Sequence, residues 1–277
     1  MQRTDRPGAP DRPRLVASDL DGTLLHSDGT VSARTRAAWA AAGEAGLETV
    51  LVTARPPRWL HGLGQVVGPR GIAICGNGAF VYEVATRRML ETHCFATGVV
   101  EALVARLRAA LPSVVFAAER AGGAYLAAGF PDHRDDARAR GVAHGPLAAL
   151  AGEPVGKLLA LAPGVPHDEF LATVEAVVGG RGHLHFSGAS GLAEVNAPGV
   201  TKAVALERWA GRLGIGARDV WAFGDMPNDL PMLGWAGVGW AVANAHPDVL
   251  AAADRICPSN DADGVAVTVS AALGRPV

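Results

Sequence analysis

The sequence predicts an α/β protein in which a doubly wound parallel sheet carries a smaller inserted α+β domain. Short apolar runs alternate with helical patterns near both ends of the chain, an order typical of parallel sheets. Several of these runs end abruptly in polar side chains. The middle of the chain lacks this alternation. We therefore expect a core formed by residues 14–91 and 189–277, with an inserted α+β domain at residues 92–188.

The first apolar run, residues 15–18, ends in Asp19, Leu20, Asp21 and Gly22. Side chains two apart on an extended chain face the same side, so both carboxylates can face one site. Two carboxylates so close repel each other unless a divalent cation binds or one of them holds a proton. A metal-assisted reaction with one nucleophilic and one acid/base carboxylate fits both conditions. Alternatively, aspartates in a glycine-containing turn only bind nearby backbone groups.

Composition excludes several classes of partner. The chain has 277 residues and a formal net charge of −2, which gives no sign of a nucleic-acid or anionic-membrane partner. No run approaches the roughly 18 apolar residues of a membrane span. Cys75, Cys94 and Cys257 are scattered, which indicates buried thiols in a reducing cytoplasm. Residues 1–13 are expected to form a disordered lead-in without a secretory signal, and the oligomeric state is not indicated.

The first core segment places polar residues at a second strand end. Elements are predicted in the order helix 32–46, strand 49–52, helix 59–67, strand 72–75 and hairpin 79–91. Thr53, Ala54 and Arg55 follow the second strand. Ligands of such sheets bind beyond the carboxyl ends of the strands, so the hydroxyl and the guanidinium should lie near Asp19 and Asp21.

The inserted segment predicts a small α+β unit. Its elements are a helix at 99–110, strands at 113–118, 124–128, 157–161 and 183–187, and a helix at 168–178. The charged run at 132–136 is expected to be a solvated loop. His183 and His185 alternate on one strand, but no third ligand accompanies them, so a metal site is not predicted there.

The core pattern resumes with a strand at 193–196 and a helix that opens at residues 199–202 and runs through Leu213. A cation in the first turn opposes the helix dipole, which suggests an anion near Lys202 unless it is an ordinary surface lysine. A buried strand at 219–223 then leads to Asp225, Asn228 and Asp229. Three oxygen-bearing side chains at a strand end suit a hard cation such as Mg²⁺. A strand at 238–241, a strand ending near 256 and a helix at 263–273 complete the core.

Taken together, these stretches resemble the haloacid dehalogenase-like superfamily, and within it the Cof-type phosphatases with a large cap after the second motif. The resemblance covers nearly all of residues 14–273 and implies a Rossmann-like core with a cap domain. Four motifs match in order: Asp19-Leu20-Asp21-Gly22-Thr23, Thr53-Ala54-Arg55, Lys202, and Gly224-Asp225 with Asn228-Asp229. Two further stretches look like family signatures: Asn77-Gly78-Ala79 and Asp263-Gly264-Val265-Ala266.

The resemblance implies a Mg²⁺-dependent phosphatase. Asp19 would attack phosphorus to form an aspartyl-phosphate, and Asp21 would protonate the leaving alcohol and then activate water. The implied phosphate-binding residues are Thr53, Ala54, Arg55, Lys202 and Asn228. The implied metal-binding residues are Asp19, Asp21 through its backbone carbonyl, Asp225 and Asp229, with Asn228 and Asp229 also orienting the set.

Departures from the family pattern are few, and the substrate is left open. Ala54 stands where many relatives have Gly, Thr201 and Ala203 flank the lysine where Ser and Gly are frequent, and Arg55 could serve the cap or the substrate. The expected substrate is a small phosphorylated metabolite, with a sugar phosphate as the family-level expectation. A phosphomutase would keep every motif. A non-catalytic binding protein should have lost Asp19 or Asp21, and both are present.

Overall fold

The computed structural model describes residues 12–64, 66, 70–131, 141–186 and 191–275. Two β-sheets flanked by helices make up the fold. Most of the predicted lead-in and the whole charged run at 132–136 lie outside the described residues. Within the described part of the chain, no helix is both long and apolar enough to span a membrane.

The predicted strands and helices appear in the predicted order, and the structure adds one strand, Val142–Gly145, and two helices, Leu230–Trp235 and Pro247–Ala252. The strands are β1 (Leu15–Ser18), β2 (Glu48–Val52), β3 (Ile72–Cys75), β4 (Phe80–Glu83), β5 (Arg88–Thr92), β6 (Val115–Arg120), β7 (Gly123–Ala127), β8 (Val142–Gly145), β9 (Lys157–Leu161), β10 (His183–His185), β11 (Leu192–Asn196), β12 (Val220–Gly224), β13 (Val238–Val242) and β14 (Arg255–Cys257). The α-helices are α1 (Ala33–Glu44), α2 (Val99–Ala110), α3 (His167–Val178), α4 (Lys202–Arg212), α5 (Leu230–Trp235), α6 (Pro247–Ala252) and α7 (Gly264–Ala272). The predicted helix at 59–67 is a short 3₁₀ helix at Pro57–Leu63.

The first sheet, called the core sheet below, has the strand order β14-β13-β12-β1-β2-β3-β4-β5. Its pairs from β14 to β3 are parallel, and the β4–β5 hairpin adds two antiparallel strands at one edge. Helices α1 and α7 pack together, as do α4 and α5. The predicted α/β fold with a parallel core sheet is therefore confirmed. The strand β1 is buried throughout, as its unbroken apolar run requires.

The second sheet has the order β10-β11-β9-β6-β7-β8 and is antiparallel except between β7 and β8. Helices α2 and α3 pack against each other, and α3 contacts β10 and β11. The sequence analysis assigned the strand at 193–196 to the core, which is wrong. Strand β11 pairs with β9 and β10, and the core pattern resumes with α4. A short, mostly apolar strand predicts burial but carries no information about which sheet buries it.

Candidate active site

The predicted polar residues converge at the carboxyl edge of three neighbouring strands. Asp19 follows β1, Thr53 follows β2 and Asp225 follows β12. Strand β1 lies between β2 and β12, so the strand order reverses there. In doubly wound sheets, this reversal opens the crevice in which ligands bind.

Lys202 ties the centre of the site together. Its Nζ donates to Asp19 Oδ1 at 2.6 Å and to Asp229 Oδ1 at 2.7 Å. Only 2% of the lysine side chain is exposed, so both contacts lie away from solvent. Burial lowers the pKa of Lys202, but Asp19 and Asp229 together raise it above its usual value. The ammonium therefore stays charged at the start of α4, held by carboxylates rather than by solvent.

Asp229 also fixes the backbone of its own loop. Its Oδ2 accepts hydrogen bonds from the N–H groups of Asp225 and Met226, each at 3.1 Å. Gly224 leaves room for the Asp229 side chain in this position, because a Cβ on residue 224 would lie 2.5 Å from the Asp229 Cβ. Asp229 is fully buried, and its two oxygens bind Lys202 and the backbone of the loop. These contacts require Asp225 and Asp229 to be only four residues apart in the fourth motif.

Asp225 completes a group of three buried carboxylates with Asp19 and Asp229, whose oxygens lie within 4.8 Å of one another. Its Oδ1 accepts a hydrogen bond from Thr23 Oγ1 at 2.8 Å. Burial, and then the charge of Asp229, raise the pKa of Asp225 to about 6. Burial likewise raises the pKa of Asp19 well above its usual value, against the opposing effect of Lys202.

The donor set fits a hard divalent cation. Three carboxylates share one lysine, so at least one negative charge is left uncompensated in a buried place. Such an arrangement is costly without a cation, and carboxylate oxygens are the ligands that Mg²⁺ prefers. Asp19 and Asp225 would hold the ion, since both oxygens of Asp229 already accept hydrogen bonds from the protein.

Asp21 and Arg55 form a pair on the open side of the site. Arg55 Nε donates to Asp21 Oδ2 at 2.8 Å, and a terminal nitrogen of the guanidinium donates to Oδ1 at 2.5 Å. The Asp21 side chain is 57% exposed, unlike the buried Asp19. Thr53 is buried and its Oγ1 accepts the Arg55 N–H at 3.0 Å, so the second motif holds the arginine in place.

A cavity of about 320 Å³ opens onto these residues and extends to the second sheet. Asp19, Asp21, Lys202, Ala54, Arg55 and Asn228 line the core side. Glu119, Lys157 and Glu194 line the far side, together with Leu159 and Leu192 of the same sheet. These residues of the second sheet were missed by the sequence analysis. The available signal was a charged residue on each of three mostly apolar strands.

The second sheet is joined to the catalytic edge by buried hydrogen bonds. Lys157 Nζ donates to Ala54 O at 2.8 Å and to Glu194 Oε2 at 3.2 Å. Glu194 Oε2 also accepts from Asn77 Nδ2 at 2.6 Å, and Asn228 Nδ2 lies 3.4 Å from Asn77 Oδ1. Asn77 therefore links the second sheet to the loop of the fourth motif. In the sequence, Asn77 stood out only as part of a stretch that looks like a family signature, without an assigned role.

The site thus consists of buried carboxylates at a strand-order reversal, bridged by a lysine and facing a cavity. Such an arrangement defines a hydrolase-type site on a Rossmann-like core. The particular family follows from comparison with known proteins. The haloacid dehalogenase-like hydrolase family matches residues 16–269, and the chain belongs to that family. The family recognised from the four motifs is thereby confirmed.

Curated relatives extend over nearly the whole chain. The 5-amino-6-(5-phospho-D-ribitylamino)uracil phosphatase YitU of Bacillus subtilis (strain 168) is 31% identical over 262 residues, covering 92% of this chain and 96% of its own length. The HMP-PP phosphatase of Cronobacter sakazakii is 28% identical over 246 residues, covering 86% of this chain and 87% of its own. The predicted enzyme class, a phosphoric monoester hydrolase, is confirmed by such relatives.

Solved structures share the fold. The structure of SMU.1108c from Streptococcus mutans UA159 superposes with a TM-score of 0.81 at 23% identity and covers 95% of this chain and 99% of its own. At this level of identity the likeness concerns the fold alone. It includes both sheets, because nearly the whole of each chain is covered.

Proposed function

We propose that the protein is a Mg²⁺-dependent phosphatase that hydrolyses a small phosphorylated metabolite through an aspartyl-phosphate on Asp19. The observation that carries the proposal is the contact of Lys202 with both Asp19 and Asp229 beside a third buried carboxylate. A nucleophilic carboxylate needs a nearby cation to admit a phosphoryl group, because both are negatively charged. Bound Mg²⁺ would supply further positive charge to neutralise the phosphoryl oxygens.

Asp19 is the proposed nucleophile because it is buried, central and held by a single lysine contact at Oδ1. Its Oδ2 attacks phosphorus, the bond from phosphorus to the leaving oxygen breaks, and the phosphoryl group is held as an acyl phosphate. Water then attacks the same phosphorus and releases inorganic phosphate, which returns Asp19 to its carboxylate form. Lys202 lowers the energy of both steps by compensating charge on the carboxylate and the transferred group.

Asp21 is the proposed acid and base. It lines the cavity and is exposed, so it can take a proton from solvent and deliver it to the leaving oxygen. After departure of the alcohol, the ionised carboxylate accepts a proton from the attacking water. Its pair with Arg55 orients the carboxylate, which supports a role for Arg55 at Asp21 in addition to the implied phosphate contact.

Thr53, Lys202 and Asn228 are proposed to hold the phosphoryl group. Thr53 ends β2 beside Asp19, and Asn228 lines the cavity on the side of β12. The second sheet would act as a cap that covers the cavity and contacts the rest of the substrate. Excluding bulk water strengthens every charge interaction with the phosphoryl group.

The substrate is proposed to be a small phosphate monoester, with a sugar phosphate as the starting hypothesis. The named relatives act on a phosphorylated ribitylaminouracil and on HMP-PP, so phosphorylated ring compounds belong in the same panel. A phosphomutase would use the same residues but return the phosphoryl group to an organic acceptor. The cavity of about 320 Å³ suits one small substrate, which is equally compatible with a phosphatase and with a phosphomutase.

The test is a panel of phosphorylated metabolites assayed for released inorganic phosphate with Mg²⁺ and with chelator. We expect release from at least one sugar or ring monophosphate that depends on Mg²⁺, with no isomeric phosphate ester among the products. Phosphate release that survives complete removal of metal would contradict the Mg²⁺ requirement. An isomeric ester without free phosphate would make the protein a mutase.

A further inference from the structure

A second cavity of about 170 Å³ lies between the core sheet and the second sheet, away from the catalytic carboxylates. We call it the seam cavity. Its walls include Arg58, His61, Tyr82 and Arg87 of the core segment and Arg120 at the end of β6. Among the described residues that line it, none is Asp or Glu. Three guanidinium groups and an imidazole therefore face one small space.

The positive charge in this space is only partly compensated. Arg58 is ion-paired with Glu119, which lies on the other side, in the catalytic cavity. Arg120 has a loose ion pair with Glu153 at 3.6 Å, and the Glu153 side chain is 52% exposed. The Nε of Arg120 is buried without a hydrogen-bond partner. Within the described part of the chain, Arg87 makes no ion pair.

The pKa of His61 is sensitive to the charges in the seam cavity. Its Nε2 lies 3.0 Å from Tyr82 Oη, so the imidazole and the phenol share a hydrogen bond. Burial, and then the charge of Arg87, lower the pKa of His61. The guanidinium thus lies close enough to act on the ring. Like charges that face each other across two packed elements are unfavourable unless an anion lies between them.

We propose that the seam cavity binds a phosphate-sized oxyanion that bridges Arg87 of the core hairpin and Arg120 of the second sheet. Guanidinium groups present planar N–H donors that match the oxygens of phosphate, and both Arg87 and Arg120 line the cavity. The cavity has room for such an ion. Because the anion touches both the core and the second sheet, its binding favours their closed arrangement.

The anion is a separate molecule rather than a second group of the bound substrate. The Arg58 and Glu119 side chains are 7% and 4% exposed and form a buried barrier. Glu119 faces the catalytic cavity and Arg58 faces the seam cavity, so the pair separates the two spaces. This site does not use the catalytic carboxylates and goes beyond the function proposed above.

The test is a titration of the full chain with inorganic phosphate in chelator, at constant ionic strength, followed by the imidazole NMR signals of His61. Comparison with His61→Gln assigns the signals. We expect a saturable shift in the wild type. Losing one charged donor should raise the half-saturating phosphate concentration roughly tenfold or more in Arg87→Gln and in Arg120→Gln. The matched control is Arg88→Gln, since Arg88 is the neighbouring hairpin arginine, pairs with Glu83 and does not line the cavity.

Three results would overturn the proposal. The first is the lack of a saturable shift in the wild type. The second is an equal response in Arg87→Gln, Arg120→Gln and Arg88→Gln, which would mean unspecific screening. The third is loss of the His61 shift when Asp19 is loaded with beryllofluoride and Mg²⁺, because the phosphate would then be acting from the catalytic cavity.

Discussion

The catalytic edge of the core sheet and the facing surface of the second sheet both bury charges, but they pair them differently. At the core edge, Lys202 is held by Asp19 and Asp229 from the same sheet edge. On the second sheet, Glu119 pairs with Arg58 across the seam, and Glu194 accepts both from Asn77 across the seam and from Lys157 of its own sheet. The buried charges of the core edge are therefore paired within the core, whereas the second sheet shares part of its charge pairing with the core.

This difference supports the proposal that the core carries the chemistry and the second sheet covers the substrate. A substitution at the core edge should lower both the turnover rate and the free energy of unfolding, because each buried charge is stabilised by the others. A substitution on the second sheet should chiefly alter closure and substrate binding.

Replacing Lys202 with Met should have the largest effect. The variant leaves Asp19 and Asp229 without their shared cation, and breaking a buried pair costs roughly 3–5 kcal/mol of unfolding free energy. Turnover should fall by about 10²-fold or more, as expected for losing a charge-stabilising donor. Urea unfolding and initial rates measure the two effects. A variant with wild-type stability would contradict the interdependence of the core charges.

Replacing Asp21 with Asn should reduce the rate in a way that depends on the leaving group. General acid catalysis contributes about 10²–10⁴-fold, so an alkyl phosphate should lose most of that factor. An aryl phosphate with a good leaving group needs less protonation and should lose less in its first step. Rapid-quench rates for the two substrates provide the comparison. Equal first-step losses would count against Asp21 as the acid.

The sequence predicted the core edge and most elements around the second sheet, but it did not predict the contacts that the second sheet makes, for a physical reason. Asp19, Asp21 and Thr53 are close to their strands in the chain, so local pattern places them at one edge. The partners of Lys157 and Glu194 are set by packing between distant segments, and the register that brings Glu194 opposite Leu159 cannot be read from either strand. The assignment of strand β11 to the core failed for the same reason.

The dependence of metal binding on pH should include a contribution from Asp225, beside that of Asp19, whose pKa is also raised by burial. Its pKa, about 6 in the fold, is above its unfolded value, so the folded protein holds a proton there that the unfolded chain releases. The metal-free protein should thus lose stability as the pH rises from about 4 to about 6. Because Mg²⁺ must displace that proton, the half-saturating Mg²⁺ concentration should rise up to about tenfold per pH unit below pH 6.

Calorimetric titration of Mg²⁺ between pH 5 and 8 provides the measurement, with Asp225→Asn as the control that removes the titrating group. A Mg²⁺ affinity that is independent of pH in the wild type would place the ion elsewhere. An Asp225→Asn variant with unchanged Mg²⁺ affinity would likewise show that the ion binds elsewhere.

Replacing Glu194 with Gln should have the smallest effect on chemistry. The amide keeps the shape but weakens the contacts with Lys157 and Asn77, at a cost of roughly 1–3 kcal/mol in stability. The KM should rise more than kcat falls. Glu119→Gln is the matched control, because Glu119 pairs with Arg58 and makes no hydrogen bond to Asn77 in the described structure. A larger loss in kcat than in KM for Glu194→Gln would place this residue with the catalytic machinery.

The most direct test of the account is to find the phosphoryl group on Asp19. A single turnover of the best substrate with Mg²⁺, quenched in acid within milliseconds, should give a peptide containing Asp19 that carries the mass of one phosphoryl group. The same experiment on Asp19→Asn should give no such peptide and no turnover, with the fold intact. Phosphorylation of any other residue, or near-normal turnover by Asp19→Asn free of deamidated and wild-type protein, would contradict the central claim.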